Sequence, residues 1–143
     1  MNNSINQIID SYKAAILAKD ADAFMRLYDP AVRVFDAWGV WSYEGAAAWR
    51  KMIEDWFGSL GTELVKVEFE DVQTDGGPEL AVVSAIVTFA GHSAEGEALR
   101  ALQNRITWTL KPSGGGLRIV HEHTSAPIGF SDYKAILRRE RSS

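Results

Sequence analysis

At Gly61 the spacing of the apolar residues changes from helical to strict alternation and does not change back. Upstream of it, Ile5, Ile8, Ile9, Tyr12, Ala15 and Ile16 recur at intervals of three and four, which predicts an amphipathic helix over residues 4–18 with Tyr12 facing inward. A short second helix, capped by Asp20 or Asp22, is expected to carry Phe24, Leu27 and Tyr28 and to stop at Asp29-Pro30. "AVRVFD" then alternates as a strand. After Gly45, a stripe of Trp49, Met52, Ile53, Trp56, Phe57 and Leu60 predicts a third helix that Gly61 closes.

Downstream, Val65, Val67 and Phe69 oppose Lys66, Glu68 and Glu70, as in a strand with one wet face. "LAVVSAIVTFAG", "LRALQNRITWTL" and "LRIVHEHTSA" follow as three more strands. The turns "TDGGPE", "GHSAEGE" and "KPSGGG" supply the Gly, Pro and Asp that hairpins need. Helices gathered in the N-terminal half and a meander in the C-terminal half make an α+β fold. The long third helix must cover one face of the antiparallel sheet, and such a sheet, when strongly curved, encloses a pocket. With 143 residues and no interdomain linker, residues 1–143 are expected to form a single domain.

Composition narrows the function. The chain has no Cys, which excludes thiolate metal sites and Cys nucleophiles. A net charge of −4 argues against nucleic acid as a partner, because binding a polyanion requires a basic surface. The one basic cluster, residues 137–143, includes Glu140 and reads as a solvated tail. Neither a secretory signal nor an apolar run of membrane-spanning length is evident, so a cytoplasmic protein without a membrane partner is expected.

Chemistry concentrates in two stretches. "VFDAWGVWSYEG" sets Asp36 among Val, Phe, Trp38, Trp41 and Tyr43. A carboxylate in such surroundings is paired, exposed at a turn, or poised to exchange a proton with a raised pKa. In the closing hairpin, Arg105, Thr107 and Thr109 share one face, as do Val120, Glu122 and Thr124. If those faces meet, Arg105 and Glu122 pair inside the cone, either as a structural ion pair or as donors to an anionic ligand. That register sends Trp108, His121 and His123 outward, where they would form a homodimer interface packed sheet to sheet. His121 and His123 lack a third ligand at metal spacing, so no metal is expected. Trp49 and Trp56, one heptad apart, read as core of the third helix.

Two segments, "LYDPAVRVFDAWGVWSYEGAAAWRKMI" and "RITWTLKPSGGGLRIVHEHTS", resemble the ketosteroid isomerase-like, SnoaL-like group of the nuclear transport factor two superfamily. The resemblance implies the cone-shaped α+β fold with three helices, over nearly the whole chain. It places Asp36 on the general base that moves a proton between carbons beside a carbonyl. Tyr12 falls on the tyrosine that donates to the developing oxyanion. The isomerases' third residue, a protonated acid on a late strand, is replaced by Arg105, and a permanent guanidinium cannot imitate a neutral acid. The expected activity is therefore a cofactor-free isomerase, cyclase or dehydratase step on a small carbonyl or carboxylate compound. Asp36, Tyr12 and Arg105 would act on it, and Trp38, Trp41, Trp56, Glu122 and Thr124 would hold it. The fold also hosts modules that only bind ligands or associate, which is the alternative.

Overall fold

The protein is described by a computed structural model covering residues 2–139. Helix α1 spans Asn2–Ala18, and Ile5, Ile8, Ile9, Tyr12, Ala15 and Ile16 are all buried. Helix α2, Ala21–Met25, is short and is capped by Asp20, whose side chain accepts the Ala23 N–H at 3.0 Å. It ends before Tyr28, which the sequence pattern assigned to it. Tyr28 instead opens strand β1, Tyr28–Phe35, with Pro30 inside the strand. A strand tolerates Pro at an edge or irregularity, and β1 carries a register shift between Tyr28 and Arg33 at that point.

A two-residue strand β2, Tyr43–Glu44, pairs antiparallel with β1 and has no counterpart in the sequence pattern. Helix α3, Ala46–Ser59, follows Gly45, whose φ of 91° favours a residue without a side chain. Trp49, Ile53 and Phe57 are its buried positions. Strands β3 (Leu64–Gly76), β4 (Ala81–His92), β5 (Ala98–Ser113) and β6 (Gly116–Ser125) complete a six-stranded sheet in the order β2-β1-β6-β5-β4-β3. Every pairing is antiparallel except that of β1 with β6. A bulge between Glu70 and Gln73 in β3 and register shifts in the β4–β5 and β5–β6 pairs bend the sheet. Helix α1 lies against β3, and α3 against β1, so the helices cover the concave face. The core fills the space between: Phe24, Trp108, Ile53, Leu110 and Ile119 are among its fully buried side chains.

The alternation of β5 is the reverse of the one expected for its site residues. Asn104, Ile106, Trp108 and Leu110 are buried, whereas Arg105 is exposed on the convex face. Trp108 is only 1% exposed and therefore no part of an outer interface. The physical preference is plain: three large apolar side chains gain more from burial than a guanidinium loses by staying in water.

The basic tail also differs from expectation in its described part. The Gln103 N–H donates to Leu137 O at 2.7 Å, and the Arg139 N–H donates to Gln103 Oε1 at 2.7 Å. These bonds fill the edge of β5 beyond the end of β6. The rest of the tail, residues 140–143, lies outside the described residues. No helix among the described residues is long and apolar enough to cross a membrane.

Candidate functional site

The cone encloses a cavity of about 350 Å³ between α1, α3 and the inner face of the sheet. Its walls are largely apolar, with the aromatic Tyr12, Phe24, Trp49, Trp56 and Phe89 among them. Helical spacing on α1 turns Tyr12 inward, where its ring packs against Phe24, Phe69 and Trp108 at centroid distances of 5.2, 5.6 and 5.4 Å. Burial, then the charges of Glu122 and Asp36, hold the Tyr12 hydroxyl well above its ordinary pKa. It is therefore a proton donor to hydrogen bonds at any physiological pH.

Asp36 follows the last residue of β1 and continues its inward parity after the buried Val32 and Val34. Thr124 Oγ1 donates to Asp36 Oδ1 at 3.0 Å and accepts the Ala37 N–H at 2.8 Å. The Trp38 N–H reaches Asp36 Oδ2 at 3.4 Å. The carboxylate thus closes an Asx-type turn and also faces the cavity. Burial raises its pKa, opposed by the Thr124 hydroxyl and then by the backbone N–H groups of Trp38 and Ala37. Desolvation thus penalises the charged form of Asp36 while the hydrogen bonds favour it, the opposition that tunes a carboxylate toward proton exchange.

Glu122, on β6, is the deepest ionisable group of the cavity wall, at 1% exposure. Both of its protein donors converge on one oxygen: the Tyr28 hydroxyl at 2.6 Å and the Trp108 indole N–H at 2.9 Å meet at Oε1. Oε2 has no protein donor among the described residues. Burial pushes the carboxyl up to about 7, with the Tyr28 and Trp108 bonds opposing and the Asp36 charge adding to the rise. Near neutrality a proton on Oε2 is thus accessible, while Oε1 stays fixed as an acceptor. Register explains the partnership, since Trp108 stands directly across from Glu122 and Ile106 across from Thr124.

The structure therefore brings Tyr12, Asp36, Trp38, Trp56, Glu122 and Thr124 to one cavity and leaves Arg105 and Trp41 out of it. Arg105 does not meet Glu122. It lies beside Ser125 and donates its Nε–H to Ser125 Oγ at 3.0 Å. Trp41 is 97% exposed. Asn104 and Trp49 are wall residues that sequence reasoning did not assign to the site. Asn104 had a readable signal, a polar residue in phase with Ile106 and Trp108. At the cavity rim Arg100 donates to Glu63 at 2.6 Å, so that guanidinium is already paired.

His121 and His123 face the convex side, with the Phe35 ring edge-on to them at 5.1 and 5.6 Å. His121 Nδ1 lies 2.7 Å from Arg33 O and so must carry a proton there. Among the described residues no group of three His, Asp or Glu side chains is placed to hold a metal ion.

Residues 5–129 match the SnoaL-like domain family. Among solved structures, an NTF2-like protein of unknown function from Pseudomonas putida is 22% identical, covering 97% of this chain and 95% of its own, with a TM-score of 0.84. The protein Aln2 from a Streptomyces species is 14% identical over 87% of this chain and 88% of its own, with a TM-score of 0.76. An NTF2-like protein with a cystatin-like fold from Novosphingobium aromaticivorans is 16% identical over 92% and 85%, with a TM-score of 0.74. No curated protein sequence matches the chain.

Proposed function

The chain belongs to the SnoaL-like family, and from that premise we propose that its cone binds a compact, largely apolar carbonyl compound and moves a proton between two of its carbons. The observation that carries this reading is the convergence of two carboxyls, Asp36 and Glu122, with the Tyr12 hydroxyl on a single largely apolar cavity. Two carboxyls whose surroundings separate their protonation suit the roles of base and hydrogen-bond donor.

In the first step Asp36 takes a proton from the carbon beside the carbonyl. The C–H electron pair moves into a new carbon–carbon double bond, and the carbonyl π pair moves onto oxygen. Tyr12 O–H and the Oε2–H of Glu122 donate to that oxygen as its charge grows. In a substrate with a β,γ double bond, Asp36 then returns the proton to the γ-carbon: the oxygen pair re-forms the carbonyl, the enolate double bond moves to the α,β position, and the β,γ pair takes the proton. Glu122 takes the part that Arg105 was expected to play, and it suits that part because it is a neutral donor. A carboxylate substrate is disfavoured. Arg105 lies outside, Arg100 is paired with Glu63, and Asp36 would repel a second anion.

No cofactor is required for this chemistry, since both proton carriers are side chains of the chain itself. A cytoplasmic setting fits such a protein. A homodimer through the convex sheet face is part of the same proposal, resting on Phe35, His121 and His123 without Trp108. Sedimentation should give about twice 15.8 kDa at micromolar concentration, and a monomer would remove that element.

The test of the activity is deuterium exchange at the α-carbons of 2-tetralone in heavy water, followed by proton NMR. The native chain should exceed the buffer rate, and Asp36→Asn should lose about 10²- to 10⁴-fold of the enhancement while its melting temperature holds. A native chain that binds the ketone without accelerating exchange would support a ligand-binding module instead.

A further inference from the structure

Residues 126–136 leave the end of β6 as a small closed arm. Ile128 pairs with Ala135, the Gly129 N–H donates to Lys134 O at 2.7 Å, and the Tyr133 N–H donates to Gly129 O at 3.0 Å. Asp132 Oδ1 accepts the Lys134 N–H at 3.0 Å and packs so close to Gly129 that a Cβ there would collide with it. An arm held by these bonds has a definite shape, yet it turns its apolar side chains to water: Phe130 is 100%, Tyr133 84% and Ile128 68% exposed. Tyr133 does so at a φ of 59°, a left-handed conformation that suits Asn or Gly and penalises a bulky residue. A ring so exposed recovers little of that penalty inside its own chain.

A matching hollow opens at the same end of β6. The groove, of about 620 Å³, lies beside His123 and Thr124 and is lined by Phe35, Val40 and Trp41. Trp41 is 97% exposed and Val40 54%, so within one chain the arm does not cover them. An apolar projection and an apolar hollow on one chain, close to one strand end, are what a two-fold axis requires, because each copy then fills the other. The area is sufficient. Phe130, Tyr133 and Trp41 from two copies offer about 900 Å² at about 150 Å² per ring. Ile128 and Val40 carry the total past the roughly 1,000 Å² that a specific interface needs.

We infer that the arm of residues 126–136 docks into the groove of a second copy of this chain, setting Phe130 and Tyr133 against Trp41 and Phe35, so that each subunit braces the other's loop of residues 37–42. This rests on the convex-face homodimer proposed above, which shares Phe35 and His123 with the groove. The braced loop bears on the cone. Its Trp38 lines the inner cavity, and its Ala37 N–H donates to Thr124 Oγ1 at 2.8 Å beside Asp36. The second copy thereby steadies the turn that aims the carboxylate.

The chain has no Cys, so single Cys variants can be joined selectively. Ser131→Cys, beside Phe130, and Ser42→Cys, beside Trp41, keep every apolar anchor in place. Mixed at micromolar concentration and treated with a short bis-maleimide, the two variants should form a covalent dimer that links residue 131 of one chain to residue 42 of the other. In sedimentation, Phe130→Ser with Tyr133→Asn should raise the dissociation constant of the dimer at least about 100-fold, since four rings leave the interface. Far-ultraviolet circular dichroism should show the fold intact, because Asn suits the turn. A native chain that sediments as a monomer overturns the homodimer and the arm exchange together. A native dimer that gives no link between residues 131 and 42, or whose dissociation constant the double substitution leaves unchanged, overturns the arm exchange alone.

Discussion

Strands β5 and β6 place the two faces of the sheet in contrast within a few residues. On the concave face, Trp108 and Glu122 stand opposite each other, buried and hydrogen-bonded, and the carboxyl holds its proton to about 7. On the convex face, one residue out of phase, Arg105 and Ser125 stand opposite each other with the guanidinium in water. The same backbone thus sends neighbouring side chains into two dielectrics. An ionisable group becomes chemically interesting when the alternation turns it toward the cone, whatever its sequence neighbours are.

The largest effect that can break this contrast is on stability. Trp108→Ala should cost about 3–5 kcal/mol by leaving a cavity and removing one of the two donors to Glu122 Oε1, whereas Arg105→Ala should stay within about 0.5 kcal/mol. Urea unfolding of both variants measures the difference. Equal costs would mean that the faces are not distinct.

The next effect concerns pH. Glu122 binds its proton more tightly folded than unfolded, so between the ordinary 4.5 and about 7 the native state holds more protons and stability falls as pH rises. The loss is complete above about 7 and is on the order of 3 kcal/mol. Glu122→Gln keeps an oxygen acceptor for Tyr28 and Trp108 but cannot ionise. It should therefore flatten this part of the profile and be more stable than the native chain at pH 8. A native-like slope in Glu122→Gln would show that other groups produce it.

The smallest effect sharpens the assignment of Arg105. Arg105→Lys should leave the affinity for 2-tetralone unchanged within about twofold, because the side chain does not reach the cavity. A sharp loss in calorimetric titration would return Arg105 to the site.

Most of the fold is legible in the sequence because the period of the apolar residues tracks burial directly. All six apolar positions assigned to the inner face of the first helix are buried, and the four C-terminal strands lie where the alternation puts them. The parity of β5 departs from expectation although its signal is present. Ile106, Trp108 and Leu110 alternate with Arg105, Thr107 and Thr109, and the apolar set faces inward as burial demands. Pairing Arg105 with Glu122 gives weight to charge complementarity, which is a weaker force than the burial of three large side chains. Strand β2 has no such signal, since two residues are too few for a period. The role of Glu122 is hidden for another reason. Its two donors, Tyr28 and Trp108, are 94 and 14 residues away in the chain, and the sequence pattern puts one of them on a helix and the other on the outer face.

The central claim is that one cavity holds two carboxyls in different protonation states near neutral pH. Carbon-detected NMR titration of the side-chain carboxyls of Asp36 and Glu122 tests it directly. The account predicts that Glu122 titrates at about 7 and that Asp36 titrates above its ordinary value of 3.8 but before Glu122. A Glu122 carboxyl that titrates near 4.5, together with the solvated glutamates, would contradict it.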